Sequence, residues 1–318
     1  MPQTASGFRA IPAAAGYPQY SGNLINPVIS MDLLERFYCS TVFGEIASTD
    51  YLGDLTKGGD QITFWREPCV IVRDHIKDGI IKHDVLEAES VTLVIDKAKE
   101  FSVKIAKIDE HMMQGWEMFK AALLKNASRA MAENIDCEIL GSVYADVACT
   151  NRGARAGCIS RSYNLGQTGN PVPLDSTNIV EFFTYMHGVL NEACVPREGR
   201  FLVIPTQLEI LILNSELKAA YLTGMSETPL LNGRIPSQIA GFDIYVSNNT
   251  CRVFDPAINA PAYHIFGGVK GSIVFASVLE NTRVIEDKDS WDIYYQGLQA
   301  YGYDVVRPEA LVGAYVRF

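Results

Sequence analysis

Three stretches of the 318-residue sequence predict an α+β fold. Residues 109–146 run without proline, are built mostly of Ala, Leu, Met, Glu and Lys, and carry apolar side chains at helical spacing. Residues 61–107 switch to a period of two, the mark of half-buried strands. Residues 175–286 alternate helical and strand-like segments, as an α/β subdomain does. With a length just past the point where one core stops growing, two subdomains are expected.

Taken in order, residues 1–30 are rich in Pro, Gly, Ala and Tyr and carry one charge, Arg9. They predict an arm that becomes ordered by lying on a neighbour. Met31, Leu34, Phe37, Tyr38, Val42 and Ile46 then suggest a short amphipathic helix capped by Ser30, and 53–59 is a turn-rich break. In the strand block, Ile62 and Phe64 alternate with Thr63 and Trp65, Val70 and Val72 follow Pro68, and Val91, Leu93 and Ile95 continue the pattern. Phe101, Val103 and Ile105 alternate with Ser102, Lys104 and Ala106. Between the blocks, residues 74–90 hold Asp74, Lys77, Asp78, Lys82, Asp84, Glu87 and Glu89, the composition of a solvated tip. The expectation is a long β-hairpin whose tip projects from the body and is supported by another element or subunit.

The helical stretch has Asp109 as its N-cap and Gly115 and Gly141 as weak points. Met112, Trp116, Phe119 and Leu123 share one face, and Met131, Ile135, Ile139 and Val143 continue the stripe. As a single helix it would be about 55 Å long, more than a domain of this size needs across its width. Residues 147–174 are irregular; Asp175 or Ser176 then caps a helix with Ile179, Phe182, Phe183, Met186 and Leu190. Residues 199–205 read as a buried strand, Thr206 opens a short helix, 221–232 is a loop, and 239–247, 272–278 and 283–286 are strands. Trp291, Tyr294, Tyr295, Leu298 and Tyr301 fit a helix or a twisted strand, followed by strands at 303–306 and 310–316 split by Pro308.

A composition 48% hydrophobic and 20% charged is that of a well-packed protein, with no apolar run of membrane-spanning length and no secretory signal at the start. Seven cysteines without a CxxC pair point to reduced thiols in a cytosolic setting. A net charge of −10 argues against gripping nucleic acid over a broad surface. No catalytic, cofactor or metal residue set emerges. His75 and His83 on the charged tip lack a closed tetrahedral ligand set, and residues 267–272, GGVKGS, lack phosphate-loop spacing and read as a glycine turn. Arg152, Arg155 and Arg161 either contact phosphate, pair with an acidic neighbour at a subunit boundary, or belong to a solvated loop.

In this order the segments resemble the tailed-bacteriophage major capsid proteins of the Hong Kong 97 fold. The phrases DYLGDLTKGGDQITFWREPCVIVRD, VTLVIDKAKEFSVKIAKID, VPREGRFLVIPTQLEILILNS, GRIPSQIAGFDIYVSNN and DSWDIYYQGLQAYGYDVVRPEALV carry the likeness over nearly the whole chain. The resemblance implies an N-terminal arm and short helix (1–48), an extended loop (49–107), a peripheral domain with a spine helix (108–174), an axial domain (175–286) and return strands (287–318). It implies a non-enzymatic homo-oligomer, with hexamers and pentamers closing an icosahedral shell around double-stranded DNA without sequence-specific binding. A separate scaffolding protein, a portal and decoration proteins would be its partners, with no membrane. Assembly in the host cytoplasm would place it in the virion. Some members of that family cross-link a loop lysine, for which Lys57, Lys77 and Lys82 qualify by location alone. An encapsulin-type nanocompartment shell and an α/β enzyme are the alternative readings.

Overall fold

The computed structural model describes residues 39, 41–48, 61–67, 70–75, 83, 90–112, 115–216, 238–288 and 290–318. The expected arm, Lys57, Lys77 and Lys82, most of the hairpin tip and the loop at 221–232 lie outside the described residues. In chain order the elements are α1 (Phe43–Ile46), β1 (Gln61–Trp65), β2 (Ser90–Val94), β3 (Lys97–Ala106), α2 (Lys107–Met112), α3 (Trp116–Ser142), β4 (Val172–Pro173), α4 (Ile179–Glu192), β5 (Arg200–Ile204), α5 (Thr206–Asn214), β6 (Gln238–Ile239), β7 (Phe242–Val246), β8 (Arg252–Asp255), β9 (Ala260–Val269), β10 (Ile273–Glu286), β11 (Asp292–Val305) and β12 (Leu311–Arg317). The chain is α+β, as its sequence predicts.

Among the described residues the strands form sheets of two, three and seven. The largest runs β4-β12-β9-β5-β7-β6, with β8 paired to β9. Its strand β5 is buried at every position, which suits the apolar run Phe201–Ile204, while the buried Arg200 at its start donates to the Pro196 and Val195 carbonyls. Leu202 and Ile204 join a core with Phe182, Phe183 and Met186 of α4 and Leu208 and Ile212 of α5. Phe201 and Val203 point the other way, into a core with Ile135, Ile139 and Leu140 of α3, Val143, Ile46 of α1 and Ile273, Phe275 and Tyr301. The sheet is therefore covered on both faces.

Strand β11 lies between β10 and β3, antiparallel to both. Strand β1 pairs antiparallel with β2, from Gln61 opposite Val94 to Trp65 opposite Ser90, forming the base of the expected hairpin. Sheet membership crosses the ranges read along the chain: β3 and β10 share β11, and β12 joins the seven-stranded sheet.

Several elements differ from expectation. The helix expected at 109–146 is two: Gly115 takes a left-handed conformation (φ 85°), open to glycine without a Cβ penalty, and separates α2 from α3. At 27 residues, α3 is about 40 Å long. Asp109 lies within the first turn of α2 instead of capping it. Helix α4 starts at Ile179 after a turn in which Asn178 Oδ1 accepts from the Asp175 amide at 2.8 Å, so neither Asp175 nor Ser176 caps it through a side chain. The strand expected at 239–247 is a tight hairpin, because Ala240 and Gly241 both have positive φ (49° and 81°), the conformation of a two-residue turn. Residues 273–278 and 283–286 belong to one strand, β10, which Ser272 precedes, with a register shift between Ser277 and Leu279. Trp291 precedes β11, and Tyr294 to Tyr303 lie within that single strand, with no helix there. Val70 and Val72 lie in no strand.

Candidate assembly surfaces

The hairpin formed by β1 and β2 has one inward face and one outward face. Leu93 packs with Val274 and Ala276 of β10, and Ile62, Phe64 and Ile95 close around them. Arg66 Nη2 donates to the Val306 carbonyl at 2.5 Å, fixing the hairpin where β1 ends. On either side of that anchor large apolar side chains are mostly exposed: Trp65 is 74% exposed, Val70 71%, Ile71 60% and Val72 92%. Buried, such side chains would each contribute about 1.5–3 kcal/mol. Left in water, they make this stretch a candidate contact surface.

A second apolar group occurs at the end of the three-stranded sheet where β10 meets β11. Trp291 is 82% exposed, with Val284 and Ile285 on β10 and Ile108 and Met112 on α2 also exposed. The Lys107 amide donates to the Trp291 carbonyl at 3.0 Å, so α2 and Trp291 sit together. Charged groups frame the group: Lys104 Nζ lies 2.6 Å from Asp292 and Lys107 Nζ lies 3.4 Å from Glu286. The Lys104 partnership holds the Asp292 carboxyl below the usual carboxylate range.

Two carboxylates on α3, Asp136 buried and Glu138 half-buried, clamp other elements to the helix. Asp136, fully buried, accepts from the amides of Val42 and Phe43 at 2.9 Å each and from Asn249 Nδ2 at 2.8 Å, which locks the start of α1 and the β7–β8 connection against the helix. Glu138 accepts from Lys97 and Lys99 of β3 at 2.8 and 2.9 Å and from the Tyr301 hydroxyl at 2.8 Å. Burial works against its charge, but hydrogen bonds from Lys97, Lys99 and Tyr301 outweigh that and hold its pKa at about 2. Lys97 and Lys99 meet one carboxylate because residues two apart share a strand face. Sequence reading missed both clamps. A carboxylate at Asp136, within the stripe of Ile135, Ile139 and Val143, was the available signal, since a buried carboxylate requires partners.

Of the residues weighed in the sequence, Arg152 is committed internally, donating to the Ala145 carbonyl at 2.7 Å, while Arg155 and Arg161 are exposed. Residues 267–269 belong to β9, and Lys270 and Gly271 form the turn into Ser272, as the glycine-turn reading has it. His75 and His83 are exposed. Among the described residues, no group of three or more His, Cys, Asp or Glu could hold a metal ion, and no helix is long and apolar enough to cross a membrane.

His264 lies between two rings, stacked on Tyr144 at 3.8 Å and tilted against Tyr315 at 4.4 Å. Burial pulls its pKa down to about 4, so it is neutral near pH 7. This ladder braces the seven-stranded sheet against the end of α3.

No protein-family model matches the chain, and no curated protein matches it. Solved structures do. A chain of Mycobacterium phage Che8 aligns with a TM-score of 0.73 at 21% identity, over 93% of this chain and 98% of that one. The capsid structure of cyanophage P-SCSP1u gives 0.66 at 14% identity, over 92% and 93%. The mature capsid of bacteriophage PhiM1 gives 0.61 at 12% identity, over 96% and 98%. The likeness is one of fold and extends over nearly the full length of each chain.

Proposed function

We propose that this chain is a major capsid protein of a tailed phage, a Hong Kong 97-type shell subunit that assembles into hexamers and pentamers around a double-stranded DNA genome. The observation that carries this reading is the pair of uncovered apolar surfaces, at the hairpin and at the sheet end, on a chain with the fold of phage capsids. Each surface lies away from the doubly covered sheet, and burying both against further copies would supply the association energy that a monomer lacks.

In this reading residues 1–48 are an arm and short helix, 49–107 the extended loop, and 108–174 a peripheral domain with α3 as its spine. Residues 175–286 form the axial domain, and 287–318 return to the two larger sheets. The role is structural, not catalytic. The net charge of −10 suits a wall that confines DNA without binding it tightly. A separate scaffolding protein directs assembly in the host cytoplasm, a portal and decoration proteins complete the particle, and the subunit ends in the virion.

Electron microscopy of the protein expressed with its scaffolding partner tests the reading. Closed shells are expected, and persistent monomers would contradict it. Shortening residues 74–90 is expected to leave a folded chain that assembles poorly. Normal shells from that variant would remove the hairpin from the account.

A further inference from the structure

Glu192, the last residue of α4, is engaged at both ends. Its carbonyl oxygen, one of the acceptors a helix C-terminus leaves without an intrahelical donor, receives Cys158 Sγ at 2.9 Å and Cys194 Sγ at 4.0 Å. Its carboxylate receives the amides of Ile159 and Ser160 at 3.0 Å each. The Ser160 side chain and these amides hold that carboxyl below the usual carboxylate range, so the clasp keeps its charge in mild acid. The loop around Cys158 is thereby fastened to the helix end from which Cys194, with φ of 57°, turns away.

Both thiols are exposed. Sharing one oxygen, their sulfurs lie within about 7 Å of each other, the sum of the two contact distances. Rotation about Cα–Cβ swings a cysteine sulfur by up to about 3 Å, enough for two such sulfurs to approach bonding distance from that range. A thiol is a weak donor, and one carbonyl gains little from a second. Capping therefore does not account for the pair.

We propose that Cys158 and Cys194 form a reversible disulfide that pins the irregular segment following α3 to the C-terminal end of α4. A small-molecule disulfide such as oxidised glutathione is the oxidant. One cysteine thiolate attacks a glutathione sulfur and releases one reduced glutathione; the second cysteine thiolate attacks the mixed disulfide and releases the other. The protein pair loses two electrons, the glutathione disulfide gains them, and the two thiol protons end on the released glutathione molecules. The closed loop spans residues 158–194, and its constraint on the unfolded chain is expected to raise the melting temperature by roughly 5–10 °C.

The test uses the full chain incubated with oxidised glutathione, alkylated and digested with trypsin. Cleavage after Arg155, Arg161 and Arg197 places the two cysteines on adjacent peptides, 156–161 and 162–197, each with one cysteine. The expected result is a single cross-linked species that dithiothreitol separates, together with the rise in melting temperature. Both are absent in Cys158→Ser and in Cys194→Ser, which retain a hydroxyl donor and a native circular-dichroism spectrum. Separate alkylated or glutathionylated peptides in place of the cross-linked one would overturn the proposal. So would a cross-link that leaves the melting temperature unchanged.

Discussion

The seven-stranded sheet and the β1–β2 hairpin use the same kind of apolar strand residue to opposite ends. In the sheet, Phe201 and Leu202 are both fully buried because helices or strands cover each face. In the hairpin, Leu93 is buried against β10 while Trp65, on the opposite face, is 74% exposed. One region completes its core within the chain, and the other packs one apolar face on the body while leaving Trp65 on its far face in water. The proposed shell role needs both regions, since folding would draw on the first and association on the second.

The largest expected effect separates the two regions by stability. Phe201→Ala removes a ring packed edge-on against Phe266 at 6.2 Å within a fully covered core, and should cost about 3–5 kcal/mol in urea unfolding of the unassembled chain. Trp65→Ala and Trp291→Ala remove larger rings, yet each should stay within about 0.5 kcal/mol, because little of either is buried. Comparable losses at all three positions would break the comparison.

A smaller effect comes from acid. His264 titrates at about 4 in the folded chain against 6.5 ordinarily, so the unfolded chain takes up its proton first, and stability falls as pH drops from about 6.5 toward 4. His264→Gln should flatten that decline, by about 2 kcal/mol over the window. Glu138 is the depressed-carboxylate case: its contribution is complete above pH 4.5 and is lost as pH falls toward 2. Its side chain is 30% exposed, so solvent screening reduces the contribution to about 1 kcal/mol, and Glu138→Gln should remove the lower window only. Melting temperature against pH for the three proteins checks both windows.

What the sequence reveals follows the range of the forces involved. The hairpin base was legible because Ile62 and Phe64, then Val91 and Leu93, alternate strictly with polar or outward residues. The buried β5 was legible from its unbroken apolar run. Gly115 was legible as a weak point but the break itself was not, because Met112 and Trp116 keep helical spacing across it; in the fold Gly115 takes a positive φ and Trp116 packs on Tyr295 of β11. The full length of β10 was hidden by its polar stretch at Glu280–Arg283, which pairs with β11 at a sheet edge and has no need of an apolar face. The clamps at Asp136 and Glu138 depend on partners far along the chain, and the local pattern contains only the isolated carboxylates.

Hydroxyl-radical footprinting of the unassembled chain and of assembled shells addresses the division of labour most directly, because Trp and Met side chains report their own exposure. Trp65, Met112 and Trp291, between 74% and 82% exposed in the single chain, should each lose most of their reactivity on assembly. Shells in which all three remain as reactive as in the unassembled chain would contradict the claim that these surfaces are completed by neighbouring copies.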